Sequence, residues 1–477
     1  MSAHHLHSQP LPISPDSKTP NVVIVGAGLA GLLLGILLDR AGIPYQIYER
    51  AQQVRPLGAV MSLNAGIFPV FEQLGLFEEL QRLSLPSRRF TLYNDDMTKI
   101  AVLQSNDEKE TVGYDRIVFA RPVLYDLLLS KISPAKIHFG KKVLSINQNS
   151  EGVSIQCSDG RTYHGDVLVG ADGAYSSVRQ GLYRELQQKN LLPRSDTKEM
   201  SKGYICMVGT TDPLEPAYYP GLDDAFSHTY QVLGNMSQYS WSAFSVPGNR
   251  ICWSVVSQLG SLTQSDDHRF RNSEWGPGSN DEMIKDVMDF LVPFGCTMSD
   301  LIDATPRDKI SRVFLEDKLF ETWYSGRTVL IGDAAHTLLP SSGQGAVAAM
   351  QDAVVLANAL YELKTLAPGD IQSALHAYRV ERYPHVKEQY DTSKINAKLI
   401  YGQTFLERCA RHLIFNYMPR SVHVKASSKG MAYRPQASFL PRVSNRGTGR
   451  VFPQKPSMKY QVRQDSANSM AIPATAL

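Results

Sequence analysis

Asn21–Arg50, NVVIVGAGLAGLLLGILLDRAGIPYQIYER, reads as strand, glycine turn, helix, strand. Val22–Val25 is a continuous apolar run of the kind buried on both faces of a parallel sheet. Gly26, Gly28 and Gly31 follow it as GxGxxG. In such a turn the first glycine permits the tight bend. The second lets a pyrophosphate approach the backbone, and the third lets helix and strand pack closely. Gly42 and Pro44 end the helix and introduce a second strand, Tyr45–Glu49. Glu49 closes that strand about twenty residues past the turn, where an acid accepts hydrogen bonds from ribose hydroxyls and repels a 2′-phosphate. The stretch is a dinucleotide-binding unit, and by itself it does not separate FAD from NAD.

Two further strand ends lie downstream. Asp166–Arg179, DVLVGADGAYSSVR, is a buried strand that breaks at Gly170 into Asp172–Gly173, with Ser176, Ser177 and Arg179 after it. It reads either as a ligand-binding turn or as a turn leading into a capped helix. Arg327–Leu360, RTVLIGDAAHTLLPSSGQGAVAAMQDAVVLANAL, runs from an apolar strand into Gly332–Asp333. A Pro/Ser/Gly loop follows, and Gly343–Gln344–Gly345 opens a long Ala-rich helix. One carboxylate at a strand end and free backbone N–H groups at a helix start can hold a polar or anionic ligand between them. Asp333 suits a sugar-like chain of hydroxyls. His336 has the chemistry of a general base, but its place after Gly-Asp-Ala-Ala reads as structural.

These strands are far apart in the chain, so the domain they build is discontinuous. From about residue 200 to 320 the texture changes to strand-rich runs such as GYICMVGTT, YSWSAFSV and ICWSVVSQ. The expected fold is α/β (α+β overall): a Rossmann-like, discontinuous FAD-binding domain, a β-sheet substrate domain and C-terminal helices. The expected division is a disordered leader over 1–20 and an FAD-binding domain over 21–90, 112–190 and 321–365. The substrate domain takes 91–111 and 191–320, C-terminal helices 366–426, and a basic tail 427–477.

Composition narrows the functional classes. Hydrophobic residues at 43% and charged residues at 20% describe an ordinary soluble chain, and a net charge of +3 gives no argument for a nucleic-acid partner. Five scattered cysteines without a CxxC argue against a disulfide framework or a metal site and fit a reducing, cytoplasmic setting. Lys394–Met418 spaces Ile395, Leu399, Leu406, Cys409 and Leu413 near helical period, with Lys398, Arg408 and Arg411 among them. This segment reads either as a helix packed on its own body or as a membrane-surface helix. The second reading would make the protein peripheral to an intracellular membrane through 394–418.

Taken together, GAGLAG with Glu49, VGADGAYSSVR, and IGDAAHTLLPSSGQG with QDA resemble the class A FAD-dependent monooxygenases of the para-hydroxybenzoate hydroxylase fold. Within that class they resemble the FAD monooxygenases and epoxidases of fungal secondary metabolism. The resemblance runs over roughly residues 20 to 390. It implies that Gly26, Gly28 and Gly31 cradle the FAD pyrophosphate and that Glu49 holds the adenosine ribose. It assigns Asp333 to the ribityl chain, and Asp172 with Gly173 to FAD and to transient NAD(P)H. Gly58, Ala59 and Ser62 match the loop beside the isoalloxazine, where the family commonly has Gly in place of Ser62. Arg121 matches an arginine at a helix start that contacts FAD. Gly343, Gly345 and Ala346 form the helix start facing the flavin.

The implied activity is NAD(P)H- and O2-dependent. A C4a-hydroperoxyflavin transfers one oxygen to an aromatic or prenylated, apolar small molecule, by hydroxylation or epoxidation, and molecular oxygen is the second substrate. Tyr230 and Tyr239, in the β-rich part that should cover the flavin, are the catalytic candidates on the substrate side. An FAD oxidase or dehydrogenase on the same fold, or a flavin-binding redox sensor, is the alternative.

Overall fold

The apolar runs of the sequence lie side by side in one sheet. The structure, a computed structural model, describes residues 19–53, 60–104, 106–234, 237–259, 281–402 and 404–470. Gly58, Ala59 and almost all of the expected leader lie outside the described residues. The first sheet has six strands in the order Tyr324–Ser325, Thr328–Leu330, Val167–Gly170, Val22–Val25, Tyr45–Tyr48, Ile137–His138. All pairings are parallel except that of the short edge strand Tyr324–Ser325. Val22–Val25 and Val167–Gly170 are buried along their whole length, which is why neither alternates between apolar and polar residues.

The second sheet has ten strands and is mixed. Antiparallel strands Ser201–Thr210, Tyr239–Val246, Arg250–Gln258 and Ser311–Leu319 form one half. Ser227–Leu233 then runs parallel to Leu85–Asn94. Val60–Leu63 and Ile117–Ala120 extend the same sheet, so it draws on chain that the sequence reading placed in the FAD-binding domain.

Its two faces carry different residues. One face presents Tyr204, Cys206 and Val256, which pack with Leu339, Ala397 and Tyr401. Because Leu339 belongs to the loop before Gly343, this is the face turned to the FAD-binding domain. The opposite face presents Val232, Tyr239, Trp241, Trp253 and Val255, covered by Met283, Ile284, Val287, Leu301 and Ile302 from helices Asp281–Val287 and Met298–Asp303.

Among the described residues four helices follow the FAD-binding segments: Pro368–Tyr401, Phe405–Tyr417, Arg420–Gly430 and Met458–Met470. The basic tail expected over 427–477 packs, in its described residues, on the rest of the chain. Met431, Ala437 and Phe439 are buried in the main core. Arg434 is buried and donates to the Val112 carbonyl at 2.8 Å, while Gln73 and Asn358 bond the backbone of 436–438. The segment is held by partners elsewhere in the chain, so it shows no periodic pattern of its own.

Candidate active site

The register of the first sheet brings the three motifs together. Val25 pairs with Gly170 and with Tyr48, and Gly170 pairs with Leu330. The turns at Gly26, Ala171 and Ile331, and the residue Glu49, therefore leave adjacent strands at one level. Ligands of open α/β sheets bind in the crevice beyond the carboxyl ends of the strands.

The glycines at this edge divide into two kinds. Gly26 has φ 105°, and a Cβ there would lie 2.4 Å from the Ala171 carbonyl oxygen, so the first turn fits only a glycine. A Cβ on Gly31 would lie 2.1 Å from the Gly26 carbonyl, which is the close helix–strand contact expected of the third glycine. Gly28, Gly173, Gly343 and Gly345 are the opposite case: a Cβ built on any of them meets no atom within 4 Å. These four border open space. Two helices, Leu29–Ala41 and Gly345–Tyr361, start beside that space, and their first N–H groups are donors suited to phosphate and to a flavin ring. The cradle therefore fits FAD on its own geometry.

The carboxylates at the three turns are used differently. Glu49 accepts the Ala27 N–H with one oxygen and the Ala51 N–H with the other, each at 2.8 Å. It thus fixes the glycine turn and stays at the edge where a ribose would sit. Asp172 accepts from the Ser176 and Ser177 hydroxyls and from the Ser177 and Val178 N–H groups, the last two at 2.7 and 3.2 Å. Its carboxylate caps helix Ser177–Gln188. Its carboxylate is thus held by its own helix start, and Gly173 beside it borders open space.

Asp333 has an exposed side chain, yet burial pushes its carboxyl above the usual range against the pull of His336 and Arg121. An accessible carboxyl at this strand end stands at the crevice beyond the sheet. Arg121, first residue of helix Arg121–Leu129, is one of the positive charges that pull the Asp333 carboxyl down.

Ser62 lies in strand Val60–Leu63 opposite Val118, and Ala346 lies in the first turn of helix Gly345–Tyr361. Arg179, noted in the sequence without a role, joins two of the turns. It is buried, donates to the Ala334 carbonyl at 2.9 Å and to the Ala174 carbonyl, and lies 4.1 Å over the Phe320 ring.

Behind the Gly332 turn lies a buried ionic cluster that the sequence reading did not assemble. Asp352 accepts the Gly332 N–H at 2.8 Å, His336 Nε2 at 2.6 Å and Arg382 Nε at 2.7 Å. Arg382 also donates to Gln351 and to the Ala348 carbonyl, and Gln351 donates to the Gly66 carbonyl. Burial raises the Asp352 carboxyl, but His336 and Arg382 outweigh it and hold the group below the usual carboxylate range. His336 is fully buried, its ring 5.2 Å from that of Trp323 and tilted 39° to it, which fits the structural role expected of it.

Tyr230 and Tyr239 are not brought to this cleft. Both sit on the sheet face turned away from it. The Tyr230 hydroxyl bonds His228 at 3.0 Å, and His228 bonds Asp224 at 2.6 Å. The Tyr239 hydroxyl donates to Asp286 at 2.7 Å. Burial pushes both phenols up to about 12, with Tyr93 adding at Tyr230 and Asp286 adding at Tyr239, so neither supplies a phenolate base. The side chains on the cleft side are Tyr204, Phe244, Val256, Leu339 and a row of serines, with Ser242 and Ser254 bonded at 2.6 Å. Their sequence signal was the alternation in YSWSAFSV, where small hydroxyl residues alternate with larger apolar ones.

Known proteins agree with this geometry. The family described as an FAD binding domain matches residues 19–196 and 296–393. The FAD-dependent monooxygenase penM of Penicillium crustosum is 30% identical over 446 residues, 90% of this chain and 89% of that protein. The FAD-dependent monooxygenase ptmM of Penicillium ochrochloron is 29% identical over 432 residues, 88% and 94% of the two chains. Among solved structures, Klebsiella pneumoniae HpxO complexed with FAD and uric acid superposes with a TM-score of 0.70 at 20% identity, over 87% of this chain and 97% of that one. These matches show that this chain belongs to the FAD-dependent monooxygenases of the para-hydroxybenzoate hydroxylase fold.

Proposed function

We propose that this enzyme uses NAD(P)H and O2 to insert one oxygen atom into an apolar or aromatic small molecule, with prenylated alkenes as the favoured class. The observation that carries this reading is the cleft itself. Leu339, in the loop between Asp333 and helix Gly345–Tyr361, packs with Tyr204 and Val256 of the second sheet, which supports a cleft between the two. FAD, when bound, supplies the electron storage and oxygen activation that amino-acid side chains lack.

The chain's own work is holding, orienting and excluding water. Gly28 and the start of helix Leu29–Ala41 would take the pyrophosphate, Glu49 the ribose, and Asp333 the ribityl hydroxyls. The N–H groups around Gly345 and Ala346 would favour negative charge on the pyrimidine side of the flavin. On strands Ser227–Leu233, Tyr239–Val246 and Arg250–Gln258, the residues turned to the cleft include no His, Asp or Glu. On strand Ser311–Leu319 of the same sheet, Glu316 is engaged by Tyr175, and Asp317 by Tyr390 and Lys394. Hydroxylating a phenol needs a base to activate the ring, whereas epoxidising an alkene does not. That supports the alkene. The proposed setting is the cytoplasm, at an intracellular membrane met through residues 394–418.

The test is oxygen balance. Purified yellow protein is supplied with NADH or NADPH and panels of phenols and prenylated alkenes, and product mass is measured under labelled O2. The reading expects NAD(P)H consumption matched to products heavier by one labelled oxygen. Hydrogen peroxide as the sole oxygen product across both panels would favour an oxidase instead.

A further inference from the structure

The C-terminal helices leave an apolar stripe uncovered. Helix Phe405–Tyr417 opens with a capping box between Thr404 and Glu407, which fixes where it starts. Arg411 fixes how it is rotated. This residue is buried, and its guanidinium donates to the Leu399 carbonyl at 2.8 Å and to the Gly402 carbonyl, at the end of helix Pro368–Tyr401. Cations are favoured at such an end, where carbonyls lack partners.

With Arg411 turned inward, Ile414 and Phe415 become half-buried. Phe405, Leu406, Leu413 and Tyr417 are then left 74%, 78%, 60% and 71% exposed, with Cys409 exposed among them. At about 100° per residue these five positions fall within an arc of roughly 120°. Single exposed apolar residues are ordinary, but a continuous stripe marks a surface that something covers.

Charge selects what covers it. Residues 394–430 contain seven basic residues and one acid, Glu407, which is engaged in the helix cap. Arg411 is buried, Lys394 pairs with Asp317 and Lys429 with Glu388, and Lys398 and Lys425 carry positive charge outside those pairs. Lys398 and Lys425 are exposed to either side of the stripe in sequence. A second copy of this chain would bring the same positive charge to the contact. An anionic lipid surface complements both the stripe and its charge, because an in-plane helix buries one face at the acyl boundary while basic residues meet the headgroups.

We propose that helix Phe405–Tyr417 docks this enzyme on anionic membrane surfaces. Docking has a consequence for substrate. The last turn of helix Pro368–Tyr401 places Ala397 and Tyr401 in the cluster with Tyr204, Val256 and Leu339, on the cleft side of the sheet. Ser240, on the same side, lies 3.4 Å from the Ile400 carbonyl. The helix end that lines the cleft is therefore the end to which the docking helix is fastened, and an apolar molecule dissolved in the membrane is the substrate class this arrangement serves. That consequence rests on the monooxygenase reading; the docking does not.

The experiment uses the full chain with vesicles of phosphatidylcholine alone or mixed with phosphatidylserine, by flotation at low and high salt. An environment-sensitive fluorophore on Cys409 reports insertion. Flotation with the anionic vesicles, weakened by salt and accompanied by a blue shift, is the expected result. Leu406→Glu with Leu413→Glu should weaken it roughly tenfold or more while the protein stays yellow.

Protein left in the soluble fraction overturns the proposal, as does equal binding to neutral vesicles. So does a concentration-dependent dimer that the double variant dissolves. Turnover of a prenylated alkene carried in the same vesicles tests the consequence separately. Flotation with no oxygenated product from any substrate would count against the monooxygenase reading and leave docking standing.

Discussion

Asp172 and Asp333 follow strands of the same kind, at the same edge of the same sheet, and do different things. Asp172 accepts four hydrogen bonds from its own chain, given by Ser176, Ser177 and Val178. Asp333 is exposed at the crevice beyond the sheet. The difference lies in where the next helix begins. Ser177 starts a helix five residues after Asp172, near enough for the carboxylate to cap it. After Asp333 the long helix begins only at Gly345, beyond a loop and another glycine turn. A strand-end carboxylate is free to serve a cofactor when the following helix starts out of its reach.

The largest effect is expected behind Asp333 rather than at it. Asp352→Ala would leave Arg382 buried without its carboxylate and would release the Gly332 N–H and His336. Removing one partner of a buried ion pair costs about 3–5 kcal/mol. Urea unfolding of the FAD-free protein measures this, and a loss below about 1 kcal/mol would mean that the cluster does not hold the turn. The acid limb carries the same information. The folded carboxyl is held below its usual range, so its stabilisation is present above the unfolded value of about 3.9 and is lost as pH falls from there toward the folded value. Asp352→Asn should flatten that limb.

The aspartates themselves come next and should separate cleanly. Asp333→Ala should weaken FAD binding about 10- to 100-fold, the range of hydrogen bonds to a charged acceptor. Its FAD-free stability should hold or rise, because the folded state already disfavours that charge. Asp172→Ala should do the reverse, lowering FAD-free stability by about 0.5–2 kcal/mol for a lost cap and changing flavin affinity less. Flavin fluorescence titration and thermal melts on the two variants decide it. Equal loss of FAD in both, with unchanged melts, would break the distinction.

Much of this cleft was legible before any coordinates. GAGLAG, Glu49 and the Gly332–Asp333 turn each combine a buried run with a breaker, and local sequence suffices for that. Whether Asp172 faces a ligand or its own helix turned on the rotamers of Ser176 and Ser177, which spacing does not fix. The Asp352–His336–Arg382 cluster joins residues up to 46 positions apart through tertiary packing. How the tail packs was hidden for a similar reason, since Arg434 and Gln436 are paired with groups far away in the chain. The sheet face of each tyrosine depended on strand parity, and strands apolar on both sides conceal it.

That last point yields the smallest expected effect. Tyr239→Phe removes one hydroxyl whose partner is Asp286 on helix Asp281–Val287. A hydrogen bond of this kind contributes about 0.5–1.5 kcal/mol, so a modest fall in melting temperature is expected. Because Tyr239 is packed on the far face with Phe290 and Trp241, turnover and the coupling of NAD(P)H to product should not change. Tyr204→Ala is the partner experiment. Tyr204 stands on the cleft side against Tyr401, so the change should alter substrate KM without preventing flavin reduction. A Tyr239→Phe enzyme that melts normally but loses product formation would show that the far face reaches the chemistry, and the assignment of the two faces would have to be reversed.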